Sequence, residues 1–519
     1  MTKGMYLTQG LHRSLRATPH ATMTICGERV RTFADVADRV ARLAGGFRSL
    51  GARGNDRIAV LSLNSDRYQE YLLATVWAGC VVNPINIRWS AAEIAYSLRD
   101  SDSRMLLIDD TFLSLLPELR SQFADLANVI YCGDGATPDG TVAYEKLIRT
   151  SDPVPDAHRS GCDLAGVFYT GGTSGHPKGV MLSHENLMTS AMGGLASGFF
   201  LTSGGPLLHA APMFHLADLA IWLEQMIRGG AHVFIPSFKP EWVLDAVQRH
   251  RVSDLLLVPT MVQMLVDHPS LPDCDTSSLR AVMYGGSPIS AALLERAAVR
   301  LPTASFVQAY GMTEVSPIAT LLSPQDHHDP VVRRSGGTAA PHSEVRIVGD
   351  DDAELPRGQV GEITIRGGHV MAGYWGKPEE TAAVLRNGWM HTGDAGYMDE
   401  RGYVFVVDRI KDMIVSGGEN VYSVEVENAL ARHPAVATCA VIGVPDERWG
   451  ERVHAVVVLA PGQRADDEEL GEFCKSLIGG YKIPRTFEVV SELPLSAAGK
   501  VLKRALRAKY WAGSDRLIG

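Results

Sequence analysis

Between Phe168 and Gly179 the sequence FYTGGTSGHPKG gathers hydroxyls, bare backbone and a cation into one short stretch. Val167, Phe168 and Tyr169 read as the end of a buried strand, after which come Thr170, Gly171, Gly172, Thr173, Ser174 and Gly175. Glycines let the backbone curl so that several N–H groups face a single anion. The hydroxyls of Thr170, Thr173 and Ser174 add donors, and Lys178 adds a point charge behind the stiff Pro177. Together they suit a nucleotide polyphosphate. A Walker A loop needs Gly before its Lys and Ser or Thr after it, whereas Pro177 and Gly179 stand there. The stretch is therefore a phosphate loop of another type or a plain Gly/Ser/Thr surface loop.

Two further stretches carry groups a nucleotide would use. QAYGMTE, Gln308 to Glu314, follows an apolar run and sets Tyr310 to stack on adenine, Thr313 to bond a phosphate and Glu314 to hold Mg²⁺, an ion that takes oxygen ligands beside a polyphosphate. Gln308, Gly311 and Met312 complete that wall. WMHTGDAG places Asp394 between small residues, where an ionised carboxylate can accept both ribose hydroxyls, although an Asp there is more often a turn residue. SGGENVY, Ser416 to Tyr422, is a second glycine loop, and since GG is a common turn dipeptide a plain hairpin turn is one reading of it. Lys500 lies at a Gly-containing turn before a basic helix, where most lysines are simply solvated.

The full TGGTSGxPKG string resembles the signature loop of the adenylate-forming superfamily, which includes acyl-CoA synthetases, aryl-CoA ligases, luciferases and peptide-synthetase adenylation domains. Six motifs stand in that family's order along nearly the whole chain, and GGENVY and YKIPR are most similar to bacterial fatty-acyl and aryl-CoA ligases. The resemblance implies an AMP-forming carboxylic acid:CoA ligase that uses ATP, Mg²⁺ and CoA on a hydrophobic acid, fatty or aryl. It implies that Asp394 and Arg409 share the ribose, that Lys500 is the catalytic lysine acting with Thr170, Lys178 and Glu314, and that Lys411 is the hinge. It also implies that Gly417 and Gly418 line the pantetheine tunnel. His215, Tyr284, Gly285, Gly286 and Met312 match positions lining the acyl pocket. Asp218 follows His215 where many members carry a glycine, which bears on the depth and polarity of that pocket.

These residues need a scaffold that delivers loops to one place. Apolar runs IAVLSLN, CVVNPINI and MLLIDD alternate with helical stretches, and Val36, Val40, Leu43, Phe47 and Leu50 mark one face of a helix that Gly51 ends. Alternation of strand and helix predicts parallel or mixed sheets covered by helices, with ligands at the strand ends. Gly133 to Arg159 reads as an exposed connection. After Gly336 the turn-rich GEITIRG and GYVFVVD predict a β-rich subdomain, and beyond it a small, mobile α+β domain. The expected division is 1–408 for adenylation and 409–519 for the lid, with the hinge near Asp408 to Asp412.

A chain of 519 residues with 45% hydrophobic content can bury a large core, and its net charge of −10 argues against nucleic acid as a partner. The seven scattered cysteines contain no CxxC pair, which suits a reducing, cytoplasmic setting, and no run reaches the length of a membrane span. A homodimer is left open. Two rival readings stand beside the ligase: an enzyme loading a separate carrier protein, since GGH at Gly367 to His369 is followed by Val370 rather than an acceptor serine, and a nucleotide-binding sensor without turnover.

Overall fold

The computed structural model describes residues 4–170, 177–199, 201, 204–287, 289–416, 419–446, 448–495 and 501–511. Among them, an eight-stranded sheet runs in the order Gly373–Tyr374, Lys178–Ser183, Leu164–Thr170, Val81–Pro84, Arg57–Leu61, Met105–Ile108, Asn128–Tyr131 and Val142–Ala143. Its strands are parallel except at the Lys178 end, where Leu164–Thr170 and Lys178–Ser183 pair antiparallel with Thr170 opposite Lys178. A nine-stranded sheet carries Leu207–His209, Asp254–Leu257, Ala281–Gly285 and Ser305–Tyr310 in its parallel centre. The N-terminal hairpin of Thr22–Cys26 and Arg29–Thr32 completes one edge of this second sheet. The first third of the chain thus serves both sheets.

The helix Phe33–Ser49 opens on a capping box between Thr32 and Asp35 and buries Phe33, Val36, Val40, Leu43 and Phe47, the face marked by spacing. Helix Asp66–Trp77 is buried along its whole length, every one of its residues included. Its charged groups tolerate this because they find partners far along the chain: Asp66 bonds Arg29 at 3.0 Å, and Glu70 bonds Arg39 at 2.6 Å and accepts from Tyr144 Oη. Gln69 accepts from Trp222 Nε1, while Gln69 Nε2 and the Tyr68 and Thr75 hydroxyls have no hydrogen-bond partner among the described residues. The segment expected to be an open connection, Gly133 to Arg159, contains the helix Tyr144–Thr150, which buries Tyr144, Leu147 and Ile148 under that network.

An antiparallel five-stranded sheet follows, built from Glu344–Val348, Gly361–Arg366, Leu385–Arg386, Trp389–Met398 and Val404–Arg409. The last unit is a second five-stranded sheet led by Val436–Asp446 and Gly450–Leu459, with helices Ser423–Leu430, Asp467–Lys475 and Lys503–Trp511 packed on it. The architecture is α/β, with large mixed sheets covered by helices, a β-rich subdomain and a small C-terminal domain. Among the described residues no helix is long and apolar enough to cross a membrane.

Candidate active site

The site forms where the ends of several strands meet. Ala281–Gly285 and Ser305–Tyr310 are parallel neighbours, so Tyr284 and Gln308 lie side by side and their carboxyl ends open into loops. Tyr284 is 1% exposed; its hydroxyl donates to Gln308 Oε1 at 3.3 Å and lies 2.9 Å from His327 Nε2. Burial pushes the Tyr284 phenol well up, so it stays neutral. Gly285 is held against Ala309, whose carbonyl oxygen would lie 2.4 Å from any Cβ, and Gly286 adopts φ +79°. At the next loop Gly311 is more constrained still, with Pro317 O 1.9 Å from a would-be Cβ. Met312 and Thr313 then lead into the tight turn Thr313–Val315.

Two polar clusters converge beside these loops. In one, Asp394 and Arg409 face each other across the strand pair Trp389–Met398 and Val404–Arg409, with Arg409 Nε 2.6 Å from Asp394 Oδ1. The Tyr310 hydroxyl donates to the other carboxylate oxygen at 2.8 Å. Tyr310 is thereby anchored by its hydroxyl as well as offering a ring face, and burial together with the Asp394 charge pushes its phenol far above the usual range. In the other cluster Glu314, 6% exposed, accepts from Tyr374 Oη at 2.9 Å. Lys178 Nζ sits 4.9 Å from the Tyr374 ring centroid and 2.7 Å from Glu380 Oε2. Burial raises the Glu314 carboxyl above its usual range, opposed by the Tyr374 bond and by the charges of Arg409 and Lys178. Tyr310 ends its strand and Glu314 lies in the short turn that follows, so both clusters border the same loop.

Lys178 is thus held in an ion pair rather than standing clear as a bare point charge. The sequence motifs did not single out Tyr374, which links Glu314 to Lys178, or Glu380, which pairs with Lys178. The available signal was GYWG, Gly373 to Gly376: strand Gly373–Tyr374 pairs with Lys178–Ser183, and Gly373 at φ +141° leaves only 2.7 Å to Thr381 Cγ2 for a Cβ. Asp100 fixes the base of the hairpin, accepting from Tyr169 Oη at 2.6 Å through its carboxylate and from Trp375 Nε1 at 2.9 Å through its carbonyl. His215 is the residue before helix Leu216–Arg228 and packs on Phe214 with ring centroids 4.2 Å apart. Asp218 faces inward: it is fully buried, 2.7 Å from His209 Nδ1, and His209 Nε2 lies 3.0 Å from His232 Nδ1. It belongs to this internal chain of polar groups in the first turn after His215.

Gly171, Gly172, Thr173, Ser174, Gly175, Gly417, Gly418 and Lys500 lie outside the described residues, as does the Lys411 side chain. Their described flanks are nonetheless informative. Thr170 and Lys178 pair across the phosphate loop, which therefore leads into a strand and not into the helix of a Walker A loop. Ser416 pairs with Glu419 around the second glycine pair, giving the hairpin that composition suggested. The residues gathered here by the structure are Thr170, Lys178, Tyr310, Glu314, Asp394 and Arg409, with Tyr284, Gln308 and Met312 beside them.

A phosphate-type hairpin, a carboxylate–arginine pair and a buried carboxylate gathered at the strand ends are the arrangement of a nucleotide-activating enzyme. Residues 11–375 match the family model for the AMP-binding enzyme, and residues 425–500 match that for the AMP-binding enzyme C-terminal domain. The chain is 40% identical to a feruloyl-CoA synthase of Amycolatopsis sp. over 96% of its own length and 98% of that protein's. It is 34% identical to the fatty acid–[acyl-carrier-protein] ligase ScoC of Streptomyces coeruleorubidus, over 96% and 95% of the two chains. The ATP-bound structure of MatB from Rhodopseudomonas palustris superposes with a TM-score of 0.88 at 30% identity, covering 98% of this chain and 99% of that one. The chain belongs to the AMP-binding enzyme family of the adenylate-forming superfamily. Within it, the chain is an acid–thiol ligase of the AMP-forming acyl-CoA synthetase type.

Proposed function

We propose that the chain joins a hydrophobic carboxylic acid, fatty or aryl, to CoA in two steps at one site, with residues 1–408 forming the site and 409–519 acting as its lid. The observation that carries this reading is the convergence of Asp394–Arg409–Tyr310 and Glu314–Tyr374–Lys178 at the mouth of the Thr170–Lys178 hairpin. The acid's carboxylate oxygen attacks the α-phosphorus of ATP, a P–O bond forms, and pyrophosphate departs as the bond to the β-phosphate breaks. Asp394 and Arg409 hold the ribose. Thr170, Lys178 and the loop residues Gly171 to Gly175 hold the polyphosphate, and Lys178 exchanges Glu380 for phosphate oxygens as the nucleotide arrives.

Glu314 fits Mg²⁺, because a buried hard carboxylate oxygen is the ligand this ion takes from protein when phosphates and water supply the rest. When bound, that ion neutralises charge on the phosphates. Lys500 contributes the ammonium that stabilises the negative charge building on the reacting phosphoryl group, a kind of contribution worth about 10²–10³ in rate. The lid then turns about Lys411, withdrawing Lys500 and bringing Gly417 and Gly418 to the acyl-adenylate. The CoA sulfur, as thiolate, attacks the acyl carbon, the thioester bond forms and AMP leaves. Tyr284, Gly285, Gly286, Met312 and His215 shape the space for the acid.

The test is acid-dependent release of AMP and pyrophosphate, followed with and without CoA over straight-chain fatty acids and arylpropenoic acids. CoA-dependent thioester formation on one of these classes supports the reading and names the acid. A carrier-loading function is the second reading, favoured by the likeness to a carrier-protein ligase over nearly the whole chain. It predicts an acyl-adenylate that CoA fails to discharge. ATP binding without turnover on any acid would overturn both.

A further inference from the structure

Away from the active site, the helix Gln9–Ala17 and the segment before strand Leu164–Thr170 bring His12, Asp156 and His158 together. One ligand atom from each lies within 4.8 Å of the other two. His12 Nε2 is 2.8 Å from Asp156 Oδ2, and His158 Nδ1 is 3.7 Å from the same oxygen. A tetrahedral zinc ion with bonds of about 2.0–2.1 Å separates its ligands by about 3.3 Å, a value bracketed by these two spacings. We propose that His12, Asp156 and His158 form a three-ligand Zn²⁺ site, with the fourth position open to the adjoining cavity.

The donors are held from behind, as metal ligands require. Asp156, whose side chain is 2% exposed, accepts from the His158 backbone N–H at 2.8 Å on Oδ1, and from Thr8 Oγ1 at 2.6 Å on Oδ2, the oxygen that faces both imidazoles. The His12 ring stacks on Trp77 at 4.9 Å, and the Trp77 indole donates to Val154 O at 2.8 Å, tying helix and segment to one platform. Tyr6 packs edge-on against the His158 ring at 5.3 Å. His158 itself sits at φ +50°, a conformation that strains a non-glycine residue and that the surrounding bonds maintain. A hydrogen bond from His12 to Asp156 would by itself tether the helix, but it needs neither the second imidazole nor the strained backbone presenting it.

Two imidazole nitrogens and one carboxylate oxygen form a donor set chosen by zinc, and it is unlike the all-oxygen shell of magnesium or calcium. The adjoining cavity, of about 540 Å³, is lined by Gln9, Arg13 and Arg16 as well as by His12 and His158. Zinc and one carboxylate leave a net positive charge beside two arginines, so the open position takes water or a small anion such as a carboxylate or phosphate.

Calorimetric titration of the full EDTA-treated chain with ZnCl₂, with Mg²⁺ present to occupy oxygen-rich sites, tests this directly. The expected result is one equivalent bound at micromolar Kd or tighter, weakened at least tenfold in H12Q and in H158N. Co²⁺ in place of Zn²⁺ should give the intense visible band of a tetrahedral ion in the wild type and lose it in both variants. Asn tolerates the left-handed backbone at position 158, and circular dichroism checks that each variant is folded. The proposal is overturned if the wild type takes up no equivalent of zinc, or if folded H158N binds as tightly as the wild type.

Discussion

Asp394, in a stretch whose composition suits a turn, is buried and drawn into an ion pair with Arg409. Its two oxygens already engage Arg409 and Tyr310, and each retains acceptor capacity for a ribose hydroxyl. Charge-assisted bonds of this kind contribute about 1.5–3 kcal/mol each. Asp394→Asn should therefore raise KM for ATP by about tenfold to a hundredfold while lowering kcat much less, because ribose contacts hold ground and transition states alike. Initial rates at varied ATP measure this, and a fall in kcat at unchanged KM would remove Asp394 from the ribose. Asp394 and Arg409 were legible in the sequence because each sits in a recognisable motif. Tyr374 was not, since its role depends on a two-residue strand that pairs with Lys178–Ser183 nearly two hundred positions earlier. The Lys178–Glu380 pair was hidden for the same reason: no local pattern reports a contact between distant segments.

The helices divide similarly between what periodicity reveals and what it conceals. Phe33–Ser49 was readable because one face is apolar and the other is wet. The full burial of Asp66–Trp77 was not readable, because its charged residues give no apolar periodicity and their partners Arg29, Arg31 and Arg39 lie far off in the chain. Helix Leu216–Arg228 carries a sharper case, Glu224, which is fully buried with no hydrogen-bond partner for either oxygen among the described residues. Gly194 makes room for it, since a Cβ there would lie 2.2 Å from Glu224 Oε1. Burial raises this carboxyl well above 4.5, so the folded protein keeps a proton that the unfolded chain releases. The contribution is intact below the unfolded value and is lost as pH climbs towards the folded one, by up to about 1.4 kcal/mol per pH unit. Melting temperatures should show Glu224→Gln close to wild type near pH 4.5 and increasingly more stable than wild type as pH rises. A difference that stays constant with pH would mean that Glu224 is not protonated in the fold.

At the scale of the molecule, the fold class and the order of its parts followed from strand–helix alternation and the turn-rich shift after Gly336. The assignment of the N-terminal hairpin to the second sheet did not, because sheet membership is set by packing between segments far apart. The junction of the two proposed domains is a compact set of bonds. Asp408, on the last strand of the β-rich sheet, accepts from both the backbone N–H and the hydroxyl of Ser423 at 2.6 Å, and Arg507 reaches Asp412 at 2.7 Å. Lys503 lies 2.8 Å from Glu427 just behind, and it also donates to the Ser423 hydroxyl. Asp408→Ala removes the acceptor at the start of helix Ser423–Leu430, at a cost of about 1–2 kcal/mol. Hydrogen exchange should accelerate across 423–430 and stay unchanged in strand Leu164–Thr170, and equal acceleration in both would mean that the bond stabilises the whole chain rather than the junction.

The central claim is that one site performs two reactions and that Lys500 serves only the first. Lys500→Ala, assayed separately in each half-reaction with the acid that the wild type uses best, tests it. The expected outcome is acyl-adenylate formation slowed by at least about 10²-fold, while supplied acyl-adenylate and CoA are still converted to thioester at close to the wild-type rate. Equal loss of both half-reactions, or an undiminished first one, would contradict the account.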